Sequence, residues 1–178
     1  MEPTRAERFE ALFRENYPAV RAYALRGADR EPAEDAVAET FLVAWRRLDL
    51  VPDDALPWLY GTARRALANQ RRAAGRQAAL RSRMSGAEVG SRRRDVADAV
   101  ADAEIVRAAL ASLPDRDREA LMLMAWDGLS GARAARAAGC SRGAFAVRLH
   151  RARVRLAAEL NALDEAPLAT AGDSVEAS

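Results

Sequence analysis

Residues 128–156 read GLSGARAARAAGCSRGAFAVRLHRARVRL, and the order of residue types in this stretch decides the fold. Ser130 suits a helix N-cap, a helix of about two turns follows, and Gly139 is placed to end it. A three-residue turn then leads to a second helix, which opens at Arg142 and carries Arg on several sides. Two helices joined by so short a turn have the outline of a helix-turn-helix, in which the second helix lies in the DNA major groove and the first braces it. DNA is therefore the leading candidate partner.

The second helix divides into two faces. At about 100° per residue, Phe145, Leu149, Ala152 and Leu156 share one side and are expected to pack against the preceding helices. The opposite side holds Gly143, Val147, His150, Arg151 and Val154, with Ala146 at its margin. Gly143 and Ala146 permit close approach to DNA, and Arg151 is the best bidentate donor to guanine on that face. Arg142, Arg148, Arg153 and Arg155 flank it, placed for phosphates on the groove walls. His150, the only histidine, has no metal-ligand companions, so groove or surface contact is expected and no metal site. The single cysteine, Cys140, excludes an internal disulfide and is read as a small buried apolar residue.

Working outward, the 178 residues suffice for one ordinary domain or two small ones. No apolar run approaches membrane-spanning length, and the polar start MEPTRAERFE is unlike a signal peptide, so a soluble cytoplasmic protein is expected. The net charge of +2 conceals a segregation. Residues 1–60 hold 8 Arg against 12 acids, residues 61–94 hold 10 Arg against 1 acid, and residues 95–178 hold 10 Arg against 13 acids. Within the last part, residues 130–160 carry 7 Arg against Glu159 alone. Two basic zones, each able to neutralise phosphates, point to nucleic acid more strongly than one.

The periodicity is helical almost throughout. In a first helix Phe9, Leu12, Phe13, Tyr17 and Val20 form one apolar stripe, with Pro18 placed to kink it. Pro32 opens a second helix, whose inward stripe is Val37, Phe41, Trp45 and Leu48; a turn at residues 51–54 follows. The third helix starts near Ala55 and turns Leu56, Leu59, Ala63 and Leu67 inward. Periodicity fades after residue 75 and returns with Ile105, Leu110 and Leu113, then, beyond Pro114, with Leu121, Leu123 and Met124. The expected fold is all-α: two small helical bundles, residues 5–75 and 102–160, joined by a flexible linker at 76–101, with a disordered tail at 161–178.

Two further faces carry chemistry. On the second helix Asp35, Glu39, Leu42 and Arg46 form an outward stripe, and a Leu among exposed charges invites a protein partner; a solvated face explains the same spacing. On the third, Trp58 and Tyr60 precede Arg64, Arg65, Asn69, Arg71 and Arg72, a mixture that suits opened nucleic acid through stacking, phosphate pairing and base-edge bonding. Trp58 as core and Tyr60 as a bundle-edge residue is the competing account. A helix-turn-helix regulator with a sensing or dimerisation module, acting without polymerase, and a helical adaptor also fit these features.

In order and spacing, AEDAVAETFLVAW (33–45), PWLYGTARRALANQRR (57–72), LPDRDREALML (113–123) and the helix-turn-helix at 128–153 resemble a bacterial sigma factor of the small extracytoplasmic-function (ECF) group. The resemblance spans roughly residues 6–160 and implies region 2 and region 4 modules. It implies that Asp35, Glu39 and Leu42 face the clamp helices of core RNA polymerase, with the polymerase flap as a further contact. It implies that Trp58, Tyr60, Arg64, Arg65, Asn69 and Arg72 hold the melted minus-ten strand, and that the 48–55 connection captures a flipped base. Arg142, Ala146, Val147, Arg148, His150 and Arg151 would then meet the minus-thirty-five duplex. An anti-sigma factor is a common partner in the group; no cofactor, metal or catalytic residue is implied. The chain departs from the family pattern at Ala38, where Gln is usual, at Arg65 and Asn69, which replace a common Asn and Asp pair, and at Ala146-Val147, which lack the usual polar readers.

Overall fold

The computed structural model describes residues 3–85 and 101–164, and every regular element among them is helical. Helix α1, Arg5–Gly27, begins with a capping box: the Glu7 amide donates to Thr4 Oγ1 at 3.2 Å, and the Thr4 amide donates to Glu7 Oε2 at 2.7 Å. The carboxylate of Glu7 is stabilised by these bonds, which lower its pKa. The helix continues through Pro18 without interruption. Burial of Val20, Tyr23 and Ala24 beyond the proline compensates for the missing backbone bond.

Helix α2, Arg30–Arg46, starts after Asp29 with Pro32 in its first turn, where an absent N–H costs little. A 3-10 turn at Leu48–Leu50 and the bend at 51–54 lead into α3, Ala55–Ser85. Helices α1, α2 and α3 pack pairwise around Val20, Val37, Phe41, Leu59, Ala63 and Leu67. Trp45 does not complete the inward stripe. It is 39% exposed, set edge-on against Phe9 at 5.1 Å with the Arg5 guanidinium 5.4 Å above its ring, because no third helix covers this end of α2.

The second module comprises α4, Ala101–Ser112; α5, Asp115–Ala125; α6, Gly131–Ala137; and α7, Arg142–Asp164. Gly139, at φ +64°, ends α6 with a pair of reversed bonds, its own amide to Arg136 and the Cys140 amide to Ala135. Ser141 then caps α7, accepting the Ala144 amide at 3.2 Å. Phe145, Leu149 and Ala152 are buried against the other helices of the module, as the periodicity requires, and Leu156 is half-buried. The expected boundaries shift at two places: α3 runs past residue 75 to Ser85, and α7 runs past residue 160 to Asp164. The rest of the expected linker, 86–100, and of the expected tail, 165–178, lies outside the described residues.

The two modules share one continuous buried core. Helix α6 lies against α3 at Gly61, where an added Cβ would stand 3.4 Å from the Ala137 carbonyl oxygen, in van der Waals contact, so the two helices run close together there. Beside it the rings of Tyr23 and Tyr60 stack at 4.6 Å. The Tyr23 hydroxyl donates to Glu119 at 2.6 Å and the Tyr60 hydroxyl to Asp127 at 2.9 Å. Arg26 closes the corner with a 2.6 Å bond to Asp127, whose side chain is only 6% exposed. Burial raises the pKa of both phenols, so each serves as a donor throughout the physiological range.

Two predictions follow from this packing. Phe145→Ala removes a fully buried ring and should cost about 3–5 kcal/mol in urea unfolding, with a cost below about 1 kcal/mol contradicting its core role. Burial, the largest influence on Glu119, raises its pKa above the ordinary 4.5 despite the opposing Tyr23 bond and the nearby Arg64, Arg148 and Arg71. A carboxyl raised in the folded state contributes its stability in full below 4.5, and that contribution is lost as pH rises through the raised value. Wild-type stability should therefore fall relative to Glu119→Gln as pH rises from the carboxylate range towards neutrality; parallel profiles would contradict it.

Candidate nucleic-acid interface

Helix α7 presents its polar side outward because its apolar side is committed to the core. Arg142, Gly143, Ala146, His150 and Arg151 are exposed, and Val147 is 52% exposed. An exposed Val between Ala146 and His150 leaves a shallow apolar strip, of the kind that can touch a thymine methyl. Arg148 is half-buried and lies near enough to Glu119 to influence its charge. Arg155 is not free for a phosphate: it is bonded to the buried carboxylate of Asp117 on α5. That pair instead fixes the angle of α7 within its module.

The residues expected at the opened strand fall into two groups. Arg65, Asn69 and Arg72 lie exposed along α3, with Arg72 donating to the side-chain amide oxygen Oδ1 of Asn69. Trp58 is half-buried. Tyr60 is 0% exposed and stacked in the core, so its expected place at the nucleic-acid surface is corrected: α6 and the Asp127 corner cover it. Arg64 is half-buried, its Nε 3.9 Å from Glu119 Oε1. Arg71 reaches Asp115 at 3.1 Å and the Gly27 carbonyl.

A cleft of about 530 Å³ opens between α1 and the connection that follows α2. Leu12, Asn16, Val51, Asp53 and Leu56 line it, so it offers apolar walls with a few polar groups. Asp54 stands at its edge and accepts from Arg133 at 2.8 and 3.1 Å, and also from Arg136. On α2, Asp35, Glu39 and Arg46 are exposed and Leu42 is 48% exposed, away from both the core and the second module. The outward stripe is thus a real surface feature.

The intermodule residues Tyr23, Arg26, Asp54, Glu119 and Asp127 were not legible as a site from the sequence. Bonded partners among them lie as much as 101 positions apart, as Arg26 and Asp127 do, and no spacing rule connects them. The extension of the first apolar stripe to Tyr23 was the one available signal. Among the described residues no group of three His, Cys, Asp or Glu side chains is gathered as a metal site would require, and no helix is long and apolar enough to cross a membrane.

Comparison with known proteins accounts for both modules. Residues 12–77 match the family described as Sigma-70 region 2, and residues 103–156 match Sigma-70, region 4. The chain is 31% identical over 144 residues to the ECF RNA polymerase sigma factor SigL of Mycobacterium tuberculosis, covering 79% of this chain and 81% of that protein. It is 34% identical over 148 residues to the ECF RNA polymerase sigma factor EcfG of Rhodopseudomonas palustris, covering 80% of each. Among solved structures it is similar to the sigma factor RpoE in complex with the anti-sigma factor NepR from Bartonella quintana, with a TM-score of 0.67, 30% identity, and 86% and 96% of the two chains covered. It is also similar to CnrH in complex with the cytosolic domain of CnrY, with a TM-score of 0.59, 28% identity, and 86% and 88% covered. The chain therefore belongs to the extracytoplasmic-function group of the sigma-70 family of RNA polymerase sigma factors and acts in promoter-directed transcription.

Proposed function

We propose that the chain binds core RNA polymerase through Asp35, Glu39 and Leu42 on α2, and directs it to promoters by reading two elements. The exposed face of α7 carries this reading furthest: small, apolar and guanidinium side chains stand together outward, on a helix held by a buried core and the Asp117–Arg155 pair. Ala146, Val147, His150 and Arg151 meet the bases of the minus-thirty-five duplex, while Arg142 and Arg148 approach its phosphates. Trp58, Arg64, Arg65, Asn69 and Arg72 hold the opened minus-ten strand, and the cleft beside the 48–55 connection receives a base turned out of the stack.

Melting on this account needs no catalytic group in the chain. Stacking and phosphate pairing lower the free energy of the unpaired strand, and the polymerase supplies the remaining contacts and the chemistry. An anti-sigma protein is a further proposed partner, supported by likeness to RpoE, solved with NepR, and to CnrH, solved with CnrY.

Promoter-specific RNA synthesis by core polymerase plus the purified chain tests the proposal. Specific transcripts are expected only when both are present, and operator binding without any transcription would overturn it. In the same assay Arg151→Ala should weaken discrimination at one upstream base pair by about 1–3 kcal/mol, whereas an equal loss on every DNA sequence would contradict its role as a base reader.

A further inference from the structure

The cleft of about 530 Å³ beside the 48–55 connection has unused hydrogen-bonding capacity in its wall. Asn16 lines it from α1 and is only 7% exposed, a polar side chain set among the apolar Leu12, Val51 and Leu56. Its Nδ2 donates to the Leu12 carbonyl at 2.9 Å, which fixes the amide, and its Oδ1 accepts no hydrogen bond among the described residues. An acceptor so nearly buried is costly to leave without a donor. Glu15 on α1 and Asp53 on the connection also line the cleft; both are exposed, and neither enters an ion pair among the described residues. The guanidinium groups at the rim are already engaged, Arg8 with Asp49 at 3.5 Å and Arg133 with Asp54 at 2.8 Å. What the cleft offers a guest is therefore mainly acceptor oxygen.

Resting on the reading of this cleft as the receptor for a base turned out of the stack, we infer that Asn16 determines which base enters: one that carries an exocyclic amino group, with thymine excluded. An amino N–H of adenine, cytosine or guanine supplies the donor that Asn16 Oδ1 lacks, and the carboxylates of Glu15 and Asp53 favour the same polarity. Thymine has no amino group, and the carbonyl oxygens on either side of its one ring N–H would meet the oxygens of the cleft. The apolar walls discriminate little between bases of similar shape, whereas a polar group left unpaired against the wrong guest discriminates strongly. The base reader thus comes from α1, a helix that carries none of the residues assigned to the opened strand.

The test uses the holoenzyme, core polymerase with the full chain, on a promoter that it transcribes, prepared with the minus-ten segment already unpaired so that base-pair strength plays no part. Each non-template position of that segment carries each of the four bases in turn, and affinity is read by competition. At one position thymine is expected to bind about fivefold or more weakly than the amino bases. Asn16→Leu keeps the volume and removes Oδ1, so it should erase that difference at this position alone. A preference that survives in Asn16→Leu, an equal loss at every position, or thymine accepted as well as the others throughout by the wild-type chain overturns the inference. Ala11→Trp fills the cleft from an exposed position, leaves Asn16 in place and should erase the same preference, so it decides the matter even where Asn16→Leu does not fold. It also distinguishes the underlying reading. If Ala11→Trp erases a preference that Asn16→Leu keeps, or erases a preference for thymine, the cleft still receives a base and only the role of Asn16 fails. If Ala11→Trp alters no position, the cleft as base receptor fails and the inference with it.

Discussion

The buried carboxylate of Asp127 sets the relation between the two halves of the molecule. A charge with so little solvent is costly unless it is paired and hydrogen-bonded, and here both requirements are met by the first module, through Arg26 and Tyr60. Asp127 lies in the turn between α5 and α6, so satisfying it brings α6 down onto α3. The approach is then completed by the close contact of Gly61 with the Ala137 carbonyl and by the stacked rings of Tyr23 and Tyr60. Removing one partner of such a pair typically costs about 3–5 kcal/mol, comparable to losing a large core side chain.

From that constraint the two faces of the helix-turn-helix acquire different tasks. Helix α6 is turned inward, its Ala134, Ala135 and Ala137 buried and its Arg133 and Arg136 spent on Asp54. Helix α7 is turned outward along most of its length, anchored by Phe145 and Leu149 below and by Asp117 from the side. The chain therefore displays the exposed face of α7 while holding part of the α3 face against the second module. The Arg side chains of residues 61–80 have the same division, since some are exposed and others face carboxylates of the second module.

Much of the fold was legible in the sequence because helical spacing is a local property. The stripes of α1, α3 and α7, the start of α6 after Ser130 and its stop at Gly139 follow from neighbours a few residues apart, and the structure places them accordingly, although the Ser130 side chain makes no capping bond. Trp45 was read as inward because periodicity gives direction without saying whether a neighbour exists on that side. Arg155 was read as a phosphate contact because a wheel cannot show that Asp117 waits beneath it. Tyr60 is the sharpest case: its ring suits a base or a core equally well, and only the arrival of α6 and Asp127 assigns it to the core in this arrangement. Interactions across so many residues carry no local signature.

Asp127 holds the two modules together, and a distance across them tests this most directly. With Cys140→Ser as background, spin labels at the exposed positions Ala22 on α1 and Ala157 on α7 would report the separation of the two halves. One short distance is expected for the chain, replaced by a longer or broader distribution in Asp127→Ala, which removes the partner of Arg26 and Tyr60. The same narrow distance in both proteins would contradict it.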